Sequence, residues 1–283
     1  MNRIFPEIPA ERSEDLHNLD RADRADLVLF MAGNQFMVMP ELIDAFQKKY
    51  PDIRNIYYET LPPGLELKQI LAGGAVFRGE PITVFPDIYS AVSLEAMHTL
   101  VQNNIIGPED YFPYLHNRLT LMVPPGNPAR IESVTDLGRD EVRISQPDPE
   151  NEDIALHIVN MYRQAGGEEL VHLIMQEKTA CGTTILTKVH HRETPDGISE
   201  NSVDVGPVWA TEAVYAQKSG FNFEVVEPGK DLDQRDRINY YICRLKKGVN
   251  PENGKRFLRF IKSEGAREIY RQHGFVPAFK MKN

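Results

Sequence analysis

Two groups of residues in this chain have the types and spacing to hold an anion. The first is Gly33, Asn34 and Gln35, a small polar loop between the apolar run that starts at Leu27 and an amphipathic helix. Such a loop carries unpaired backbone N–H groups beside a helix start, where the positive end of the helix dipole also lies. Asn and Gln amides donate to an oxyanion, and glycine lets backbone N–H groups approach closely. The second group is His190, His191 and Arg192, ahead of Glu193-Thr194-Pro195. Thr194 with Pro195 reads as an N-cap and first-turn pair, which sets the three basic residues just before a helix N-terminus. Arg192 suits a bidentate grip on carboxylate, phosphate or sulfate, and the histidines can donate beside it. Adjacent histidines in extended backbone point to opposite faces, so no metal site is expected from them. Each group also has a plain structural reading: an α/β loop without a ligand, and an ion pair between Arg192 and Glu193.

The elements that must position these residues can be read from periodicity. Pro40 suits a first helical turn, and Leu42, Ile43, Phe46 and Tyr50 fall on one face of the helix that follows. A second unit repeats the pattern with a strand over 53–59, the turn Thr60 to Gly64, and a helix over 65–71 that ends at Gly73-Gly74. A third has a strand over 82–88 that runs into Tyr89 and Ser90, with Ser93 as N-cap of a helix through Met97 and Val101. Three βα turns therefore gather at strand carboxyl ends, where open α/β sheets place ligands. This brings Gly64 and Ser90 into the candidate set.

Two later segments share a pattern: RLTLMVPPGNP at 118–128 and NYYICRLKKGVNP at 239–251 are each a strand followed by a Gly/Asn/Pro turn. They read as paired hinge strands between two lobes that leave a cleft. The expected division is an N-terminal extension at 1–25, lobe one at 26–122, lobe two at 123–239 and a return to lobe one at 240–283. In the return, Asn250 should cap a helix opened by Pro251, and 263–273 should form another, stopped by Gly274.

Composition narrows the function. The 283 residues carry a net charge of −9, which argues against a broad basic surface for nucleic acid while leaving room for one anion pocket. No apolar run approaches the roughly 20 residues of a membrane span. The charged start lacks the apolar stretch of a secretory signal, so the sequence leaves both a cytoplasmic protein and a mature exported form open. Cys181 and Cys243 fit one disulfide or, as the simpler expectation, two buried thiols. There is no Gly-x-Ser-x-Gly elbow, Walker loop or His-Glu-x-x-His, and hence no enzyme or cofactor is expected.

A family resemblance joins these pieces. FMAGNQF with AFQKKYPDI, LELKQILAGG, LTLMVPPGNPARIESVTDLGRDEVRISQPDPE, NSVDVGPVWATEAVY and FLRFIKSEGAREIYRQHGFVPA resemble, in order, the type II periplasmic solute-binding proteins. The molybdate/tungstate branch of ABC-transporter binding proteins is the most similar. The resemblance implies an α/β fold of two lobes closing over a small anionic solute, a membrane ABC permease as partner, a monomer, and a periplasmic or extracellular location. It adds Asn151, in the loop before a helix that contributes backbone donors, and Trp209, which stands where the family often has a tyrosine. The contact loops depart from the family: Gly33, Asn34 and Gln35 replace serine hydroxyls in the first, and Pro63 and Gly64 stand in the second, where proline donates nothing. Capture of a molybdate- or tungstate-like oxyanion is the leading expectation. An organic carboxylate or phosphate-bearing solute, a cytoplasmic anion sensor, and an enzyme using His190, His191 and Arg192 are the alternatives.

Overall fold

The computed structural model describes residues 5–92, 94–150, 152, 154–187 and 193–278. It divides into two compact units, Met1–His116 with Asn239–Asn283, and Asn117–Ile238.

The first unit is built on a mixed seven-stranded sheet. In spatial order its strands are Val276–Pro277, Tyr111–His116, Asn239–Arg244, Ile88–Ala91, Leu27–Phe30, Ile56–Glu59 and Leu16–His17. Leu27–Phe30 runs parallel to both neighbours, with Leu27 opposite Ile56 and Phe30 opposite Tyr89. A parallel strand covered on both faces must be apolar throughout, and all four of its residues are buried. Helix Met39–Lys49 follows it, with Pro40 in the first turn. That helix buries Phe46 edge-on against Phe257 and Phe260 of helix Pro251–Ile261, at ring-centre distances of 5.3 and 5.5 Å. Helix Pro63–Ala72 ends at Gly73, whose φ of 82° is the left-handed conformation glycine adopts without strain.

The structure shifts several expectations. The third strand is not continuous over 82–88: Glu80–Ile82 pairs with Ala75–Phe77 in a small separate sheet, and Ile88–Ala91 enters the main one. Between them the Asp87 carboxylate accepts the Val28 N–H at 2.9 Å and also that of Asn250, so a side chain does the work of the ladder. Asn250 is thereby diverted from capping; its amide donates instead to Ala25 O at 2.8 Å. Residues 5–24 are part of the first unit and not an appendage. Glu7–Ile8 pairs with Ala75–Phe77, and Leu16–His17 covers the free edge of Ile56–Glu59. Ile8 and Leu16 join an apolar cluster with Leu61, Phe77 and Ile82. The chain leaves the first unit after His116 and returns at Asn239. The first crossing precedes Val123 because Leu119–Val123 pairs with Gly206–Trp209 and Glu224–Val226, both in the second unit.

In that second unit those three strands are antiparallel, while Ile144–Gln146 and Thr184–Leu186 run parallel. A parallel bridge from Ile144 to Val205 leads Gly206–Trp209 in the same direction. Thr194 lies inside helix Glu193–Ser199 and not before it. Its hydroxyl sits 2.9 Å from that of Ser145, a buried partner that replaces the expected cap. Both cysteines are free; Cys243 is buried as expected, and Cys181 is exposed.

Candidate functional site

Three parallel strands of the first unit, Leu27–Phe30, Ile56–Glu59 and Ile88–Ala91, end on one edge. The loops that leave them hold the first-unit candidates. Gly33 opens a short turn, Gly33–Gln35. A β-carbon there would stand 3.0 Å from Thr60 O and 3.1 Å from Leu61 O, so glycine is what lets the first loop lie against the second.

Gln35 is fully buried, and its amide is consumed inside the unit. Nε2 donates to Ser90 Oγ at 3.0 Å and to Tyr114 Oη at 2.7 Å, while Oε1 accepts from Tyr270 Oη at 3.1 Å. Ser90 Oγ also accepts the Ala32 N–H at 3.0 Å. Ser90 is accordingly a strand residue in the floor, and together with Gln35 it fixes the first loop. Asn34 Nδ2 donates to Tyr240 Oη, and Asn34 Oδ1 is left buried without a donor. Three tyrosines, at positions 114, 240 and 270, thus complete a neutral network around the loop. Nothing local in sequence announced them, since Asn34 and Tyr240 are 206 residues apart.

The second loop is held from outside by the N-terminal segment. Thr60 N–H donates to Asp15 O at 2.9 Å, and His17 stacks on Tyr58 with ring centres 4.1 Å apart. Pro62 and Pro63 start the next helix, and Gly64 faces open space. Tyr89 Oη ties the third strand to this loop through Pro63 O at 2.9 Å. Immediately behind lie two buried carboxyls, Glu59 and Glu66. Glu59 accepts from Tyr57 Oη at 2.6 Å and from Gln69 Nε2 at 2.8 Å on both oxygens. Burial pushes its pKa up to about 7 against those donors. Glu66 has no hydrogen bond of good geometry on either oxygen. Burial first, then the nearby Glu59, hold its carboxyl well above the usual range, with the backbone N–H groups of Leu61 and Met31 only partly opposing them.

In the second unit, Gln146, Thr187 and Trp209 mark the corresponding strand ends. Gln146 is fixed by Tyr162 Oη at 2.7 Å, and Thr187 donates to the buried Glu152. Trp209 ends its strand, stands at the N-cap position of helix Ala210–Lys218 without a side-chain cap, and is 2% exposed. Its ring centre is 5.7 Å from that of His157, whose Nδ1 is buried without a partner and whose pKa burial lowers to about 4. A neutral imidazole against indole is a packing pair that the spacing of the histidines did not reveal. A cleft of 250 Å³ in this unit is lined by Thr187, Glu193, Asp196 and Glu200 among others, an acidic surface that suits no anion. Asn151, His190, His191 and Arg192 lie outside the described residues. Among the described residues, no group of three His, Cys, Asp or Glu side chains is placed to hold a metal, and no helix is long and apolar enough to cross a membrane.

Known proteins place this geometry. A family model described as bacterial extracellular solute-binding protein matches residues 27–276. A putative ABC transporter substrate-binding lipoprotein, YvgL of Bacillus subtilis, is 22% identical over 264 residues, covering 93% of this chain and 91% of that one. The periplasmic molybdate-binding protein of Azotobacter vinelandii superposes with a TM-score of 0.69 at 16% identity, over 88% of this chain and 98% of its own. The sulfate-binding protein SubI of Mycobacterium tuberculosis does so with a TM-score of 0.68 at 18% identity, over 89% and 86%. The α/β fold is that of the type II periplasmic binding proteins. The family is one of transport proteins and not of enzymes. The chain belongs to the bacterial extracellular solute-binding protein family, which captures small solutes for the membrane permeases of ABC transporters.

Proposed function

We propose that this protein captures a small oxyanion outside the cytoplasm and delivers it, as a monomer, to an ABC permease. The observation that carries this reading is the neutral first loop. Gln35, Ser90, Tyr114 and Tyr270 hold Gly33 and Asn34 in one conformation without spending a charge, so that the loop is preorganised before any solute arrives. Gly33, Asn34 and Gly64 are the first-unit contacts in this reading, with Gln35 and Ser90 behind them as positioning residues. Asn151, His190, His191, Arg192 and Trp209 are the second-unit contacts, and Arg192 is the charged one.

Molybdate and tungstate are the first solutes to try, because the resemblance in sequence and the likeness in fold both lead toward proteins that bind such ions. A phosphate-bearing solute is the second reading. It is favoured by Asn34 Oδ1, a buried acceptor of the first loop without a donor, which a fully ionised tetrahedral oxyanion does not satisfy.

A thermal-shift screen of molybdate, tungstate, sulfate, phosphate and citrate tests the proposal. A solute at about a thousand times its dissociation constant adds roughly 4 kcal/mol of stability, enough to raise the midpoint by several degrees. No shift with any of the five would remove the oxyanion reading and leave the transport family standing.

A further inference from the structure

One imidazole of the second unit has a nitrogen that its packing does not use. His157 stands in helix Ile154–His172, and its ring lies against Trp209 with centres 5.7 Å apart and planes tilted by 57°. Its Nδ1 is sealed from solvent without a partner, whereas Nε2 is not sealed and meets no acceptor among the described residues. Burial first, and then the charge of Arg237, lowers the pKa to about 4, so the ring is neutral at pH 7. A neutral imidazole carries one N–H. A sealed N–H without an acceptor is rarer than a sealed lone pair, so the hydrogen belongs on Nε2 and the open nitrogen is the donor. The Trp209 indole N–H beside it is a second donor that is not sealed and has no acceptor among the described residues.

Backbone contacts bring Arg237 to this pair. Arg237 N donates to Gln234 O at 2.8 Å, closing a turn that is pinned at both ends. Asp233 O accepts from Leu119 N at 2.8 Å, and Leu119 is the register partner of Trp209. Ile238 O accepts from Asn117 N at 3.3 Å, and Asn117 Nδ2 donates to Thr211 Oγ1 at 3.0 Å, two residues past Trp209. Arg235 on the same turn is taken up by the buried Asp233 carboxylate, at 2.8 and 3.0 Å. Arg237 is exposed and forms no ion pair among the described residues. Glu212 and Asp236 are near in the chain, so a cation is what keeps the local field from repelling an anion.

We infer that the second unit grips an anionic group of the solute through His157 Nε2–H and Trp209 Nε1–H, with Arg237 as the counter-charge. The inference rests on the oxyanion reading above and adds His157 and Arg237 to its second-unit contacts. Two ring N–H groups and a guanidinium suit the oxygens of phosphate, sulfate or a carboxylate, because hydrogen bonds to an ionised acceptor are the strong ones.

Isothermal titration calorimetry of the full chain with phosphate, sulfate, molybdate and citrate at pH 7, paired with urea denaturation, tests this. For each anion that the wild type binds, His157→Phe and Arg237→Gln should each raise the dissociation constant by about 10- to 100-fold. His157→Phe keeps a ring against Trp209 and removes the unpaired Nδ1, so the solute-free variant should be at least as stable as the wild type. Affinity lost without stability is a result that a packing role for His157 does not give. Arg237→Lys keeps the charge and should recover part of the affinity. Should His157→Phe fail to fold, Arg237→Gln, at an exposed position, carries the test. An affinity within about threefold of the wild type in either folded variant would overturn the inference and leave the oxyanion reading standing. If the wild type binds none of the four, the inference falls together with that reading.

Discussion

The two buried carboxyls behind the second loop make the stability of the first unit fall as pH rises, and substitution can separate their contributions. Glu59 has an ordinary pKa of 4.5 and is held at about 7 in the folded protein, chiefly by burial. A carboxyl with a raised folded pKa keeps its proton in the native state after the unfolded chain has lost it. Stability is therefore complete below the unfolded value and declines up to the folded one. A span of about 2.5 pH units at about 1.4 kcal/mol per unit gives a loss of about 3 kcal/mol from Glu59 by neutral pH. Glu66 acts in the same direction, as does Asp87, which burial raises to about 6. His17, lowered by burial, opposes them until it is neutral in both states.

Glu66→Gln isolates one of these groups. The glutamine is nearly the same shape, cannot ionise, and replaces a carboxyl that has no hydrogen bond of good geometry. Its stability advantage over the wild type should be near zero at pH 4. It should then widen by about 1.4 kcal/mol per pH unit for as long as the wild-type Glu66 keeps its proton. Glu59→Gln should behave oppositely at pH 5. There its amide nitrogen would face Gln69 Nε2, breaking bonds at 2.8 Å, at a cost of about 1–3 kcal/mol. Urea denaturation followed by far-ultraviolet circular dichroism from pH 5 to 8, with hydrogen exchange of Leu27–Phe30 as the local readout, measures both. Emission from Trp209 does not serve, because that residue lies in the other unit. A Glu66→Gln protein no more stable than the wild type at pH 8 would refute the reasoning.

Other outcomes follow from single contacts. Gln35→Leu removes partners from Ser90, Tyr114 and Tyr270 in a buried network, and should cost on the order of 3 kcal/mol in urea denaturation while loosening exchange in the first loop. Gly33→Ala must push the second loop away from contacts of 3.0 and 3.1 Å; about 1–3 kcal/mol of stability and a measurable loss of solute affinity in calorimetry are expected. Trp209 is the single tryptophan, so solute binding in the second unit should change its emission; the same titration with Trp209→Phe should be silent. Arg192→Ala should weaken phosphate or citrate binding by about tenfold or more, and unchanged affinity would take Arg192 out of the site.

What the sequence conveyed well was the parallel core and its loops. Leu27 to Phe30, the Pro40 helix start and the Gly73 stop obey local rules of burial, ring geometry and backbone freedom, and those rules act within a few residues. The strand expected over 82–88 was misplaced because Asp87, a side chain, takes the Val28 donor that a ladder partner would have taken. Likewise Asn250 and Thr194 had the right chemistry for caps, but each found a tertiary partner first, Ala25 O for one and Ser145 for the other. The N-terminal segment read as an extension because its pairing is with residues some 40 to 70 positions away. The tyrosine network was invisible for the same reason. Each hydroxyl is ordinary alone and becomes part of the network only when two distant strands and a helix bring it to Asn34 or Gln35.

The character of the site follows from how charge is distributed around it. A protein with nine more carboxylates than cations gains nothing by adding fixed negative charge behind a loop proposed to bind an anion, yet Glu59 and Glu66 stand there. Their burial resolves the conflict. A carboxyl that keeps its proton adds no field at the loop, and Glu59 spreads what charge it carries over Tyr57 and Gln69. A dianion placed at the first loop would raise the proton affinity of both groups further, which couples solute charge to their protonation. On the oxyanion reading, a solute that brings its own proton avoids part of that electrostatic cost. Hydrogen phosphate against sulfate is therefore, on that reading, the comparison in which this coupling between solute charge and the buried carboxyls can be read.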